Sequence, residues 1–98
     1  MRVVWTDRAK ARLHEIHAYI AQDQPLNADR VVDRLTQRVG QLAQFPNSGP
    51  IIERYRGEGL RELLESPYRI VYLILAERID IVTVRDMRRV LPRRAEDL

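Results

Sequence analysis

The sequence YRIVYLIL at residues 68–75 decides the fold. It is almost continuously apolar and rich in β-branched and aromatic residues, which is typical of a strand that is covered on both faces. Alternation along a strand places Tyr68 and Tyr72 on one face, and Arg69 on the other beside Val71. We therefore predict a central strand at 68–75 that carries one charge on an otherwise apolar face.

Three further segments are expected to complete a sheet around this strand. Residues 60–65 and 79–84 have the composition of strands, and residues 76–78 are the right length for a hairpin loop. Val3-Val4-Trp5 is a short β-branched and aromatic run near the start of the chain. The sequence thus predicts four strands, and the last three follow one another directly.

The charge on Arg69 needs a partner, because burying an unpaired charge is costly. Glu62 or Glu65, on the preceding strand, is the expected ion-pair partner. Arg61 shares the face of Arg69 if the register of the two strands allows it. Without such a partner, Arg69 is expected to face a concave functional surface.

A first helix is predicted after the first strand. Thr6 is its expected N-cap, and the helix ends near Asp23 or Gln24 because Pro25 follows. An apolar stripe with spacings of 4, 3 and 4 residues marks its buried face. The stripe consists of Ala9, Leu13, Ile16 and Ile20.

A second helix is expected to begin after Pro25, with Asn27 as its cap, and to end at Pro46. Its apolar stripe consists of Ala28, Val31, Val32, Leu35, Val39 and Leu42. The link between the helices, residues 22–26, is short, and a short link favours an antiparallel helical hairpin.

The resulting order is βααβββ in one domain over residues 1–98. Helices followed by a run of strands predict an α+β fold, with the helical hairpin on one face of a twisted antiparallel sheet. Residues 47–50 form a turn cluster. Residues 51–59 are predicted as a loop that contains at most a short strand.

The composition excludes several classes of function. The 98 residues contain no Cys, which rules out disulfides and thiolate chemistry. No apolar run approaches the roughly 20 residues that span a bilayer, and no signal peptide is recognisable, so we expect a cytoplasmic protein without a membrane partner. His14 and His17 lie three residues apart on the first helix, but no third ligand is apparent, so we predict no metal site.

Arginine dominates the basic residues, and it is concentrated towards the end of the sequence. The chain has 17 Lys and Arg against 14 acids, a net charge of +3. Between residues 84 and 94 there are five arginines and one acid, Asp86, so this segment alone carries +4. Such a cluster indicates an anionic partner, although a GC-rich genome also favours Arg in general.

Several phrases of the sequence, taken in order, resemble the ParE/RelE superfamily of toxins from bacterial type II toxin–antitoxin modules. They are Trp5-Thr6, LAQFPNSG at 42–49, LREL at 60–63, YRIVY at 68–72 and VTVRDMRR at 82–89. The resemblance covers essentially the whole chain and implies the βααβββ fold. It also implies a cognate antitoxin, encoded by the adjacent gene, which covers exposed apolar and sheet-edge surfaces, and no cofactor.

The superfamily has two activities on one fold, so the choice between them depends on the site. RelE-like members cut mRNA on the ribosome, and ParE-like members inhibit DNA gyrase. RelE-like members carry a Tyr or His near the C-terminus, whereas here neither residue follows Tyr72, and only Asp86 or Glu96 remains as an acid or base. The resemblance therefore favours the gyrase inhibitor, although many ParE-like toxins have a His where this chain has Asp86.

Two sets of contact residues are expected. The predicted target-binding residues are Arg61, Arg69, Arg85, Arg88, Arg89, Arg93 and Arg94. The predicted antitoxin-binding residues are the apolar Leu13, Ile16 and Ile20 and the basic ridge of Arg30, Arg34 and Arg38. No catalytic residue is predicted. Two alternatives stay open: an mRNA endonuclease that acts on the ribosome, and an inactive homologue that only binds the antitoxin.

Overall fold

The computed structural model describes all residues, Met1–Leu98, and has the predicted α+β architecture. Two helices and four strands occur in the order βααβββ; two short 3-10 segments lie between the second helix and the second strand, and a third, Ala95–Asp97, lies in the tail after the last strand. The strands are β1 (Arg2–Trp5), β2 (Arg61–Glu65), β3 (Tyr68–Ile74) and β4 (Arg78–Asp86). The helices are α1 (Asp7–Ala21) and α2 (Pro25–Gly40), and neither is long and apolar enough to cross a membrane.

The start of α1 is fixed as predicted. The Thr6 hydroxyl accepts a hydrogen bond from the Ala9 backbone N–H at 3.1 Å, and it donates to the carbonyl of Ile81 at 2.7 Å. The first bond satisfies one of the free N–H groups of the helix terminus, and the second attaches that terminus to the sheet. Asp7 lies in the first turn, where its charge is favourable to the helix dipole.

The prediction for the start of α2 was wrong. Gln24 is the N-cap and Pro25 is the first helical residue, whereas Asn27 lies inside the helix and does not cap it. Proline is well suited to this position, because its fixed φ matches the helix and its missing N–H would have had no partner there. The helix ends at Gly40, and a 3-10 turn, Gln41–Ala43, continues it towards Pro46.

The sheet has the order β1-β4-β3-β2, and its middle strands confirm the prediction for residues 68–75. The expectation of an all-antiparallel sheet was wrong in one pairing, since β1 lies parallel to β4. β1 therefore has the same direction as β2, because β2 and β4 are both antiparallel to β3. Residues 41–60 connect α2 to β2. That segment contains a 3-10 helix, Glu53–Glu58, where a loop was predicted.

The helices cover one side of the sheet, which we call the helix face. Eleven buried residues form its core, including Leu35 and Val39 of α2, Ile70 and Tyr72 of β3, and Ile81 of β4. The apolar stripes of both helices therefore pack as their spacing predicts. Most of the core of the molecule lies here.

The opposite side of the sheet, which we call the outer face, has a smaller core. Ile52, Tyr55, Leu60, Val71 and Leu98 are buried there. The 3-10 segment and the tail after β4 cover this side. Tyr55 donates a hydrogen bond to the carbonyl of Pro92 and so holds the tail across the sheet. The outer face beyond this cover carries Arg69 of β3 and Arg85 of β4.

Candidate functional site

Two arginines meet on the outer face at the end of β3 and β4. Arg69 and Arg85 are directly opposite each other in the antiparallel register, so their side chains leave the sheet on the same side. Arg69 lies 3.4 Å from Glu62 (Nη1 to Oε1), and both side chains are about one-fifth exposed. This confirms Glu62 as the ion-pair partner of Arg69. Arg85 has no such carboxylate.

Arg85 is partly buried and has three other arginines near it. Burial lowers the pKa of its guanidinium, and the positive charges of Arg12, Arg89 and Arg69 lower that pKa further. Nearby, the side-chain atoms Arg69 Nε, Glu62 Oε1 and Thr83 Oγ1 are buried without a hydrogen-bond partner. Buried polar atoms without a hydrogen bond destabilise the protein while no ligand is bound. A ligand that supplies the missing hydrogen bonds removes this destabilisation.

Arg61 does not join this pair. The register places it opposite Tyr72, on the helix face, because adjacent residues of a strand point to opposite sides. There its guanidinium donates to the backbone carbonyl of Gly49 at 2.7 Å. The expectation that Arg61 and Arg69 share a face is thus contradicted, and the contact with Gly49 makes Arg61 part of the loop structure.

The turn after β4 is closed by Asp86. Its Oδ1 accepts from the backbone N–H of Arg88 at 2.8 Å and from Nε of the same residue at 3.0 Å, and its Oδ2 accepts from Nη2 at 2.6 Å. These hydrogen bonds lower the pKa of Asp86 to about 2. One of the predicted target-binding arginines is therefore already paired within the protein, while Arg89 next to it is exposed and has no acidic partner.

A cleft of about 380 Å³ separates α1 from the end of the sheet, and we call it the α1–β4 cleft. Ile16, Tyr68 and Val84 supply its buried or half-buried apolar lining, and Tyr19 is exposed at its side. The charged residues around it are Arg12, Glu15, Arg85, Asp86, Arg88 and Arg89. The cleft thus joins an apolar floor to a mostly basic rim.

A second cavity lies on the outer face beside the first. Its lining includes Arg54, Arg69, Arg88 and Arg89, together with Val90 of the tail. Arg88 and Arg89 belong to both cavities and therefore connect them around the end of β4. Arg93 and Arg94, which were predicted with this group, line neither cavity, and Arg94 instead pairs with Glu96 at 3.2 Å.

The predicted antitoxin-binding residues divide in a similar way. Leu13, Ile16 and Ile20 are half-buried and pack against the protein's own core. On the basic ridge of α2, Arg34 and Arg38 lie 3.8 and 3.7 Å from the carboxylate of Glu65. Arg30 is exposed and forms no ion pair.

Neither histidine lies at the arginine site. Nε2 of His17 is 2.8 Å from Oδ1 of Asp29, so this side chain joins α1 to α2. His14 and His17 line a small separate cavity with Leu13 and Val32. No group of three or more possible ligands comes close enough to hold a metal ion.

Two arginines of the site were not among the predicted residues. Arg12 comes from α1 and Arg54 from the 3-10 segment, and both line the cavities. Arg12, Ile16 and Tyr19 are spaced by 4 and 3 residues, so a second helical flank was present in the sequence. No comparable signal marks Arg54, because its position depends on how an irregular segment crosses the outer face.

The arrangement is suited to binding anions. Arginines remain charged at neutral pH and bind carboxylates or phosphates through paired N–H groups. Asp86 is a poor base, since its pKa is about 2. Burial raises the pKa values of Tyr55 and Tyr68, so both phenols stay neutral at pH 7. Because no histidine lines the two cavities, acid–base catalysis has few candidates here.

Comparison with protein families gives a match over most of the chain. A family model described as the ParE toxin of the type II toxin–antitoxin system parDE matches residues 3–91. Toxin RelE2 of Caulobacter vibrioides is 39% identical over 89 residues, which are 90% of this chain and 97% of that one. A relative in Sinorhizobium fredii, Y4kP, whose name describes it as a candidate toxin, is 44% identical over 85 residues, 85% and 84% of the two chains.

Solved structures show the same fold. A chain of the chromosomal ParDE toxin–antitoxin system of P. aeruginosa superimposes with a TM-score of 0.75 at 26% identity, covering 88% of this chain and 95% of that one. A chain of the RelBE2 toxin–antitoxin complex of Mycobacterium tuberculosis has a TM-score of 0.66 at 22% identity, with coverages of 87% and 95%. The second likeness concerns the fold alone.

Proposed function

The chain belongs to the ParE toxin family of type II toxin–antitoxin systems, and we propose that it inhibits DNA gyrase and is neutralised by an antitoxin encoded by the adjacent gene. The relatives bear the names of both ParE and RelE toxins, so the argument for the target comes from the site. We place the protein in the cytoplasm, where gyrase acts.

One observation carries this proposal: the arginines of the site are not accompanied by a group suited to proton transfer near neutral pH. RNA cleavage needs a base for the 2′-hydroxyl and an acid for the leaving oxygen. Asp86 is held as a carboxylate by Arg88, and the pKa values of Tyr55 and Tyr68 are raised. A cationic surface that binds a protein–DNA complex needs no such group.

We propose that Arg85, Arg88 and Arg89 contact the target. They lie at one end of β4, and Arg88 and Arg89 line both cavities. Arg2 and Arg78 are register partners in β1 and β4 and lie at the other end of β4. They give a matched control, because they are also arginines on the same strand pair. Replacing residues at the first end, and not at the second, is expected to abolish toxicity.

The experiment uses purified gyrase and the chain freed from its antitoxin. We expect loss of supercoiling and accumulation of cleaved DNA, an effect retained in Arg2→Ala and lost in the Arg85→Ala/Arg89→Ala double variant. In a test bacterium, DNA synthesis is expected to stop before translation does. Gyrase that remains fully active at a stoichiometric excess of the chain would contradict the proposal.

The second candidate is an mRNA endonuclease that acts on the ribosome, and the position of Arg69 directly opposite Arg85 favours it. Two opposed guanidinium groups would stabilise negative charge on a phosphorane-like transition state. Cleavage of message in a translating extract, with gyrase unaffected, would establish this activity. Expression without any effect on growth would indicate a homologue that only binds the antitoxin.

A further inference from the structure

The second cavity, which we call the outer cavity, carries positive charge that the protein itself does not neutralise. It has a volume of about 350 Å³, and four arginines and three apolar residues line it without any acidic residue. Arg69 and Arg88 are each paired with a carboxylate of the protein, at 3.4 and 2.6 Å. Arg54 and Arg89 are exposed and form no ion pair, so the cavity presents two uncompensated charges to a partner.

Exposed apolar surface adjoins these arginines. Val90 lines the outer cavity and is 81% exposed, more than any other large apolar side chain in the molecule. Leu64 of β2 is 51% exposed and lies directly opposite Arg69 in the register, so its side chain leaves the sheet on the outer face as well. A partner that covers this surface gains from the removal of apolar area from water.

The segment that carries Val90 is held in place by the 3-10 helix. Nη1 of Arg54 donates a hydrogen bond to the carbonyl of Leu91 at 2.6 Å, and the Tyr55 hydroxyl donates to the carbonyl of Pro92. These two bonds fix the backbone directly after Val90. A surface that is ordered before binding loses less conformational entropy when a partner binds.

Charge and apolar surface together favour a protein segment over the DNA backbone as the ligand of this cavity. Proteins that bind duplex DNA through its phosphates commonly make several such contacts, on the order of 6–10. Here only Arg54, Arg89 and, opposite Arg69 in the register, Arg85 have no carboxylate partner. A phosphate also has no apolar group for Val90 to contact, whereas a peptide with carboxylates beside an apolar side chain matches both features.

From these observations we propose that the outer cavity binds the protein part of gyrase, through a segment that places carboxylates on Arg54 and Arg89 and an apolar side chain against Val90. This inference rests on the proposed function, since it assumes gyrase as the target. It names the chemistry of the contact and adds Arg54 and Val90 to the arginines at the end of β4. It also makes the contact with gyrase independent of DNA.

Binding of the chain to gyrase in the absence of DNA tests this inference, with a matched control for each kind of residue. Fluorescence anisotropy of the labelled chain measures the affinity. Arg54→Glu, Arg89→Glu and Val90→Asp are each expected to weaken binding by at least about tenfold. Arg2→Glu, at an exposed arginine of β1, and Leu26→Asp, at a leucine that is 72% exposed at the start of α2, are expected to change it less than about twofold. Circular dichroism of each variant establishes that it is folded.

Photo-crosslinking gives a second readout that does not depend on stability. A benzoyl-phenylalanine replaces Val90 in one sample and Leu26 in another. We expect the first to crosslink to a gyrase subunit and the second not to. Replacing a carboxylate of the crosslinked gyrase segment by lysine is then expected to weaken binding of the unmodified chain and to restore binding of Arg54→Glu or Arg89→Glu.

The outcomes separate this inference from the proposed function. If Arg54→Glu and Val90→Asp bind and inhibit gyrase as the unmodified chain does, the outer cavity is overturned and the proposed function stands. A chain that binds duplex DNA alone, and gyrase only when DNA is present, would overturn the inference in favour of a phosphate contact. A crosslink from position 90 to a second copy of this chain, and not to gyrase, would overturn it too. If the unmodified chain neither binds nor inhibits gyrase, the proposed function itself is wrong, and this inference fails with it.

Discussion

The helix face has eleven residues in its buried core, and the outer face has five. Regular elements cover the first, whereas a 3-10 segment and the tail after β4 cover the second. The arginines of the candidate site lie on the outer face and around the end of β4. The well-packed side thus holds the sheet in place, and the thinly covered side leaves charged residues accessible.

The largest expected effect tests this difference in packing with two leucines. Leu35 of α2 is fully buried on the helix face, and Leu60 is 4% exposed on the outer face. We expect Leu35→Ala to lower the free energy of unfolding by about 3–5 kcal/mol and Leu60→Ala by about 2 kcal/mol. The smaller cluster relaxes more easily around the missing atoms. Urea denaturation of the two purified variants measures both values, and equal losses would contradict the comparison.

Two glycines extend the comparison to the connecting segments. A Cβ at Gly49 would lie 2.4 Å from the carbonyl oxygen of Glu62 and 2.8 Å from the hydroxyl of Tyr72, while a Cβ at Gly57 meets nothing within 4 Å. Gly49→Ala is therefore expected to cost about 1–3 kcal/mol. Gly57→Ala, on the outer face, is expected to be neutral within about 0.5 kcal/mol. Thermal unfolding of both variants checks this.

The position of Gly49 follows from a hydrogen-bonded loop around Tyr72. The hydroxyl of Tyr72 donates to the carbonyl of Pro46 at 2.8 Å and accepts from the backbone N–H of Gly49 at 2.9 Å. If Gly49→Ala displaced this loop without loss of stability, the two hydrogen bonds of the Tyr72 hydroxyl would contribute less to the free energy of unfolding than buried hydrogen bonds usually do. The Tyr72→Phe variant, expected to cost about 1–3 kcal/mol, measures them directly.

The sequence predicted the helix face far better than the outer face. Spacings of 3 and 4 residues located the stripes of α1 and α2, and the apolar run at 68–75 located β3. These signals are local, because each depends on one periodic element burying one side. The N-cap of α2 was predicted wrongly because proline was interpreted only as a residue that ends helices. Pro25 is the first residue of α2, a position at which proline is common.

The site depends on contacts that periodicity does not encode. Alternation along β3 placed Arg69 on the face of Val71, and the choice of Glu62 over Glu65 required the register. The same register moved Arg61 to the other face. Arg54 reaches the second cavity only because an irregular segment crosses the sheet. The charge cluster at 85–89 predicted arginines that the structure brings together at the end of β4, but it did not predict their partners.

Two glutamates of β2 provide the next smaller effect, because one lies on each face. Glu62 contacts Arg69 on the outer face with both side chains mostly buried, and Glu65 contacts Arg34 and Arg38 at a more exposed site on the helix face. Glu62→Gln is expected to cost about 1–2 kcal/mol, because it leaves a buried guanidinium without its counter-charge. Glu65→Gln is expected to cost less than about 1 kcal/mol.

Urea midpoints of these two variants, measured at low and high salt, distinguish the sites. The cost of Glu65→Gln should shrink as salt rises, since exposed pairs are screened, whereas that of Glu62→Gln should persist. Equal costs for the two variants, or a strong salt dependence at Glu62, would mean that the outer face is as well solvated as the surface of α2.

The smallest expected effect is the acid response of Asp86. Its pKa is lowered from an ordinary 3.8 to about 2, so its contribution to stability is present above about pH 4 and is lost as the pH falls from about 4 to about 2. Asp86→Asn should therefore lose less stability than the unmodified chain between pH 5 and pH 2. Thermal unfolding at a series of pH values measures the difference.

Glu53 supplies the control for this titration on the outer face. A side-chain hydrogen bond from Arg56 lowers its pKa too, but both groups are on an exposed 3-10 turn, and no backbone N–H takes part. Glu53→Gln is expected to change the acid response less than Asp86→Asn does, because a backbone donor fixed at the end of β4 holds the carboxylate more firmly than a mobile side chain. A larger change for Glu53→Gln would mean that the turn after β4 is the more mobile of the two. The arginines that it orders would then not be pre-positioned for a partner.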